Sequence, residues 1–527
     1  MPHDAQSLFS PSLDAMRTLA SLIVLLSLAA CGAPSSSEQT PARTVSDTAA
    51  SVDDRFDDGR AIYQNYCASC HGSDLTGNSG GTLLGPWDHV APDEDERARL
   101  IEITAAGLVD QGMPSYEDGL SSDEIAAVND YILAVRAGTA SIQAPPANED
   151  VPRPNLRVLD TVETLDYDVR VEVFADDLDG PWAFAFLDGR TALLTEKGGD
   201  LHVVRDGEVQ RSSVAGIPDV VARGQGGLLD VTPDPNYAET GWIYLAYSHP
   251  HPERRGPSMT RVVRGKLAGA DWDAMRWTDE EVVFEAPLDT YRDTQYHFGT
   301  RIVFDPEGFL YFAIGDRGVQ DDAQRLDRPN GKVYRVRPDG SIPADNPFAD
   351  EATAIPGIFT LGNRNPQGLT VDPRTGAVWA VEHGPRGGDE LNRIEAGANY
   401  GWPTVTYGIN YNGTVITERR QAPGLQQPVY YWRPSPAVGG TEFYTGRLFE
   451  RWTGQLLVTA LAYKQVRLLT LERGDAVGAR VLHDEVILED FGRVREAVNG
   501  PDGAIYVVTD DPGRVLRLSP VGGWDPN

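Results

Sequence analysis

One turn pattern recurs through the last two thirds of this chain and limits what it can fold into. Asp, Pro and Gly cluster at Leu187-Asp188-Gly189, Thr232-Pro233-Asp234-Pro235, Asp305-Pro306-Glu307-Gly308, Asp372-Pro373-Arg374 and Pro501-Asp502-Gly503. Each cluster leads into a short β-branched or aromatic run: TALLTE, WIYLAYS, FLYFAIG, AVWAVE and AIYVVTD. Asp side chains bond the backbone two residues on and Pro presets φ, so such clusters reverse the chain between strands. No long helical period interrupts them. About 360 residues follow residue 160, and at about 60 per unit they make six units, the count of a mainly β, six-bladed β-propeller. A pair of β-sandwiches is the other architecture these strands allow. A closed ring has no free edge, so residues 514–518 are expected to pair with residues near 167–174.

The chain of 527 residues carries 78 acidic against 46 basic side chains, a formal charge of −32. Such a surface repels phosphate backbones, so nucleic acid is not an expected partner. Near the N-terminus, residues 18–30 read TLASLIVLLSLAA. This run falls short of the roughly 20 apolar residues that span a bilayer and fits a secretory signal segment. It ends in Leu28-Ala29-Ala30-Cys31, which resembles the lipobox of bacterial lipoproteins, where cleavage precedes a cysteine that is then acylated. Residues 1–30 are therefore expected to be a lipoprotein signal and Cys31 a lipid anchor, the only membrane attachment. The location that follows is the periplasm; Gly32 in place of Asp points to the outer membrane. Asp4 and Asp14 are odd in such a leader, and Met16-Arg17 would make a better start. Residues 31–52, rich in Ser, Thr and Pro, read as a tether.

Cys67-Ala68-Ser69-Cys70-His71 is a CxxCH sequence. Two thiols reach the two vinyl groups of a haem and the adjacent imidazole faces its iron, so a covalently bound haem c is expected. Zinc would need a second ligand pair, and a redox CxxC has no use for the histidine. Downstream, Gly112-Met113-Pro114 resembles the sixth-ligand loop of class I cytochromes c, which makes Met113 the second axial ligand, ahead of His89. Residues 57–66 and 121–136 have helical character, the second with a cap-like Ser122. A small all-α cytochrome domain over 53–136 is the result. It holds 17 acidic residues, 5 arginines and no lysine, which favours a basic redox partner. Residues 137–159, with Pro145-Pro146, Pro152 and Pro154, form a short stiff linker to the propeller at 160–522.

Six long blocks in the propeller segment carry a resemblance. They are GQGGLLDVTPDP (224–235), HFGTRIVFDPEGFLYFAIGDRG (297–318), GNRNPQGL (362–369), EHGPRGGDELN (382–392), NYGWP (399–403) and GRVREAVNGPDGAIYVVTDDPG (492–513). Together they are similar to the soluble pyrroloquinoline quinone (PQQ)-dependent sugar dehydrogenases, in particular the aldose sugar dehydrogenase branch. The resemblance implies a propeller with PQQ and Ca2+ at one end of its channel. It assigns His297 as general base, Asp316 as the carboxylate orienting it, and Gln225 as a substrate contact. It places PQQ against Arg364, Asn365, Tyr411, Arg493 and Arg495. The segment where relatives carry a cofactor lysine falls at Ala462-Tyr463-Lys464, with Lys464 displaced from that position. Calcium is implied at the backbone carbonyls of Gly384 and Pro385, and a second ion at Glu390 and Tyr400.

The residue types suit that chemistry. PQQ has three carboxylates, which arginine forks can grip. Abstraction of a sugar hydroxyl proton needs a base held by a carboxylate, and Ca2+ takes hard oxygen ligands. Tyr296, before the base, stands where some relatives have Asp. Trp432 fits either sugar stacking or packing, and residues 249–260 and 404–424 read as specificity loops. The expected activity is oxidation of an aldose at its anomeric carbon, with electrons passing through haem to a redox protein or quinone-linked acceptor. The alternative is a binding or hydrolytic propeller with the cytochrome as a separate carrier.

Overall fold

The recurrent aspartates do the work their positions suggest. In the computed structural model, Asp188 Oδ1 accepts from the Arg190 and Thr191 N–H groups, both at 2.7 Å. Asp234, Asp305, Asp372 and Asp502 do the same for the N–H of Asn236, Phe309, Arg374 and Ala504. Each turn joins the first and second strands of one blade. The structure describes residues 96–107, 121–136, 156–210, 212–472 and 479–521, with single positions 59, 62, 63, 67, 83 and 116.

Six antiparallel sheets follow one another. Blade 1 starts with Pro181–Phe186 and Thr191–Glu196, and blade 2 with Leu228–Pro233 and Ile243–Pro250. Ile302–Phe304 opens blade 3, Pro366–Val371 blade 4, Val438–Phe443 blade 5 and Val494–Asn499 blade 6. These opening strands touch in cyclic order, the sixth meeting the first, so the ring is closed. Glycines let them approach: a Cβ on Gly368 would stand 2.7 Å from the Gly439 carbonyl, and one on Gly439 2.8 Å from that of Arg495. Blade 6 combines both ends of the propeller segment. Gly513–Pro520 pairs with Asp168–Asp176 in a register that sets Val171 opposite Leu518 and Val173 opposite Leu516. Arg157–Glu163 adds a fifth strand outside. Arg517 crosses this seam to reach Glu172 and Asp502, each at 2.7 Å. The closure expected from the sequence is the one observed.

Blade 5 departs from the pattern. Where the others use an Asp turn, it has a 3-10 turn at Glu450–Trp452, with Trp452 fully buried and stacked on Phe449 at 4.3 Å. One open reading is decided here and one needs correction. Trp432 is a packing residue: it is buried, and its indole N–H reaches Asp484 at 3.2 Å. The turn around 249–260 is shorter than expected, since Ile243–Pro250 and Ser258–Ala268 are strands on either side.

Near the ring axis one side chain joins four blades. Arg301, just before the opening strand of blade 3, meets Asp230 of blade 2 at 2.9 Å and Glu496 of blade 6 at 3.3 Å. It also approaches the Trp182 carbonyl of blade 1 at 3.5 Å. Asp230 in turn accepts from the Ile302 N–H at 2.6 Å, and Glu496 from that of Phe184 at 2.7 Å.

In the N-terminal region, helix α1 (Glu96–Ala106) and helix α2 (Ser122–Arg136) are joined by Asn129 and Thr104, whose side chains bond at 3.1 Å. Ser121, not Ser122, caps α2. The Ser121 N–H donates to Glu124 at 2.8 Å and the Glu124 N–H returns to Ser121 Oγ at 3.3 Å, a reciprocal capping box. Cys67 is buried among Tyr63, Val128, Tyr131 and Val135. Cys31, Cys70, His71, His89, Met113, the signal and most of the linker lie outside the described residues.

Arg301→Leu would leave Asp230 and Glu496 buried without their cation. Breaking such a pair costs about 3–5 kcal/mol. The urea midpoint followed by tryptophan fluorescence should fall accordingly, whereas Arg190→Ala, at an exposed pair with Asp206, should shift it little.

Candidate active site

His297 sits in the turn that leads into blade 3, with φ at +58°, a strained value for a residue with a side chain. Two groups hold it there. Gln225 Oε1 accepts from the His297 backbone N–H at 2.7 Å. Arg317, fully buried, donates to the carbonyls of Tyr296 and, at 2.9 Å, Thr294, with its guanidinium 3.5 Å from the Phe298 ring. His297 Nδ1 meets Asp316 Oδ1 at 2.6 Å. The other carboxylate oxygen accepts from the Trp402 indole at 2.8 Å, and the Gly318 N–H adds a bond of 2.8 Å to Oδ1. Both Asp316 oxygens are thus occupied, leaving His297 Nε2 as the free basic atom.

Electrostatics keep this pair in a working state. Burial alone would raise the Asp316 carboxyl, but the His297 bond and charge, the Gly318 N–H and Arg364 hold it below the usual value. For His297, burial and then the Arg364 and Arg317 charges outweigh Asp316 and lower the imidazole below 6.5. A neutral imidazole with its Nδ1–H on a carboxylate is a general base in its competent form.

Arg364 and Asn365 lie beside this pair. The Arg364 backbone N–H donates to Glu382 at 2.6 Å, while Nη1 reaches the carbonyls of His383 at 2.9 Å and Gly384 at 2.6 Å. Asn365 Oδ1 accepts from Gly299 at 3.1 Å. Arg364 Nε and Asn365 Nδ2 are buried donors with no partner among the described residues. His383 gives its Nε2–H to the Val438 carbonyl at 2.5 Å, and burial followed by the Arg364 charge pushes its imidazole down to about 3. That is a structural histidine.

Arg493 and Arg495 converge on one carboxylate: Asp510 lies 3.6 Å from the first and 2.6 Å from the second. Arg495 also stacks 3.8 Å over Trp182, and burial lowers its guanidinium to about 10. Gly384, Pro385, Glu390 and Tyr400 line a common cavity of about 10 Å3 together with Arg364 and Glu382. There burial and then the Glu382 charge raise Glu390 to about 8. Tyr411 and Lys464 are not brought into this cluster by any described contact: Tyr411 is 73% exposed and Lys464 is also exposed. Sequence reasoning missed Trp402 and Arg317, whose partners lie far along the chain or in backbone carbonyls.

Comparison with known proteins gives the family. Residues 178–517 match the family model described as Glucose / Sorbosone dehydrogenase, and residues 54–132 match that of Cytochrome C oxidase, cbb3-type, subunit III. The chain is 43% identical over 357 residues to an aldose sugar dehydrogenase of Escherichia coli, covering 67% of this chain and 93% of that one. It is 31% identical over 426 residues to quinoprotein glucose dehydrogenase B of Acinetobacter calcoaceticus, covering 66% and 86%. The apo crystal structure of the soluble E. coli aldose sugar dehydrogenase superposes with a TM-score of 0.62 at 42% identity, over 67% of this chain and 99% of that one. The protein belongs to the glucose/sorbosone dehydrogenase family and carries an N-terminal cytochrome c domain.

Proposed function

We propose that the protein oxidises an aldose at its anomeric carbon with PQQ and Ca2+ and delivers the electrons to a covalently bound haem c. The observation that carries this reading is the His297–Asp316 pair set beside two unpaired buried donors, Arg364 Nε and Asn365 Nδ2. Donors of that kind fit a ligand rich in carboxylate and carbonyl oxygen, which PQQ is. Relatives named as a quinoprotein and as an aldose sugar dehydrogenase support the same assignment. When bound, PQQ supplies an electrophilic quinone carbon that accepts hydride.

The chain's own residues handle binding and the proton. His297 Nε2 takes the proton of the anomeric hydroxyl as C–H hydride leaves, and Asp316 stabilises the imidazolium through Nδ1. Gln225 and Arg317 hold the turn so that Nε2 keeps its aim. Arg364 and Asn365, with Arg493 and Arg495, are the candidate grip on the cofactor's oxygens. Glu390 and the carbonyls of Gly384, Pro385 and Tyr400 offer hard oxygen donors, and a raised carboxyl in a partly buried acidic group is one that a divalent cation would ionise. Cys67, Cys70, His71 and Met113 are the proposed haem attachment and axial ligands. The N-terminal signal and Cys31 support a periplasmic, lipid-anchored enzyme that passes electrons to a redox protein or quinone-linked acceptor.

Four outcomes test this. His297→Gln should lower sugar-dependent dye reduction by about 10²–10⁴ while PQQ still binds; activity within a few-fold of the parent would assign the proton to another group. In the parent, lowering the pH protonates His297 and removes the base. Because its folded-state value lies below 6.5, the acid limb of kcat/KM should fall below that value too. Removing calcium with a chelator should abolish activity, restored by Ca2+ with PQQ. Haem should stay with the protein on acid-acetone extraction, and full release would refute the thioether links.

A further inference from the structure

The wall of the active site formed by blade 4 carries a charge that nothing above uses. The segment 394–429 leaves the blade, supplies Trp402 to Asp316, and returns to the strand Tyr430–Trp432. Between residues 404 and 434 it contains three arginines, Arg419, Arg420 and Arg433, and one acid, Glu418. Arg386, from the neighbouring turn, is tied to this segment by a backbone bridge to Ile409. All four arginines are exposed. Among the described residues none has a carboxylate within ion-pair distance. Three other arginines are neutralised, Arg223 by Asp293, Arg292 by Asp322 and Arg328 by Asp289. Arg254 and Arg255, exposed in the turn between Pro250 and Ser258, have no carboxylate within ion-pair distance among the described residues.

The arginines surround an aromatic plate. Tyr407 and Tyr431 stack with centroids 3.9 Å apart, and Tyr431 is 41% exposed. Arg420 is close enough to act electrostatically on Tyr407, and the Arg433 stem lies against the Gly387 turn. That turn is continuous with Gly384, whose carbonyl receives Arg364. The patch is therefore one turn of chain away from the proposed cofactor grip.

A cluster of unpaired cations in a chain of charge −32 is placed against the general field. An exposed tyrosine face among arginines is the composition of a recognition surface rather than of a solvated rim. We propose that Arg386, Arg419, Arg420, Arg433 and the Tyr407–Tyr431 plate form the docking surface for the acidic cytochrome domain of this same chain. That domain supplies the complement, with 17 acidic residues, 5 arginines and no lysine over 53–136. The inference rests on the sugar-to-haem reading. Oxidising one hydroxyl to a lactone carbonyl releases two electrons and two protons. One ferric haem accepts one electron, so each turnover needs two haem reductions, each followed by re-oxidation by an external one-electron acceptor. Docking must therefore recur twice per sugar, which suits a surface held by charge and readily released.

The test uses full-length enzyme loaded with PQQ, Ca2+ and haem, mixed rapidly with aldose while haem absorbance is followed. R419E/R420E/R433E should slow haem reduction at least tenfold more than it slows artificial-dye reduction at the same saturating sugar concentration. Raising salt should slow the parent and not the variant. R419Q/R420Q, a milder change that guards against misfolding, should give a smaller loss of the same kind. Unchanged haem reduction in both variants overturns the docking surface and leaves the relay standing. Parent haem that stays oxidised while dye is reduced refutes the relay itself, and the docking with it. An effect confined to the KM of an acidic sugar such as a uronate, with neutral-sugar haem reduction unchanged, would reassign the patch to substrate and overturn the proposal.

Discussion

A single guanidinium near the axis of the ring ties its geometry together. Six opening strands converge there, and among the described residues the blades are separate sheets joined by scattered hydrogen bonds rather than by strand pairing. Arg301 adds a tie across four of them by reaching from blade 3 to Asp230, Glu496 and the Trp182 carbonyl. The surroundings are acidic beyond what one cation balances: burial raises both Glu496 and Glu442 to about 7. Arg301 also stands four residues after His297. The intervening turn holds positive φ at His297, Thr300 and Arg301, at 58°, 91° and 125°. Backbone in such conformations persists only where both ends are fixed. Here one end is fixed by the axial ion pairs and the other by Arg317 and Gln225, so the base is aimed by the same contacts that hold the ring together.

The site shows how an imidazole can be kept neutral beside a carboxylate in a protein interior. A carboxylate beside an imidazole favours the charged form, which cannot accept a proton. Burial outweighs that pull, and the Arg364 and Arg317 charges add to it, so Asp316 orients the ring without pre-loading it. Trp402 contributes by occupying the second oxygen of Asp316, which prevents the carboxylate from rotating toward another donor.

Much of this was legible in the sequence because it is local. The turn aspartates bond two to four residues onward, so five of six blades announced themselves, and blade closure followed from the need to bury an edge. Blade 5 was silent because its turn is held by Trp452 stacking on Phe449 rather than by an Asp. The Ser121 box was misplaced by one residue, since two adjacent serines offer the same signal and only the Glu124 spacing separates them. Trp402 and Arg317 were unreadable for another reason. Trp402 acts on a residue 86 positions away, and Arg317 acts on backbone carbonyls, which leave no mark in a side-chain pattern.

The seam in blade 6 has a temporal side. Its strand at Asp168–Asp176 pairs with Arg157–Glu163 on one edge, but its other edge stays open until Gly513–Pro520 exists. During synthesis, at about 5–20 residues per second, roughly 20–75 s pass between the end of α2 at residue 136 and the arrival of that partner. Because the chain is made N-terminus first, residues 53–136 are all present while the ring is still an open arc. For that whole interval blade 6 exposes one strand edge that only the far end of the chain can cover.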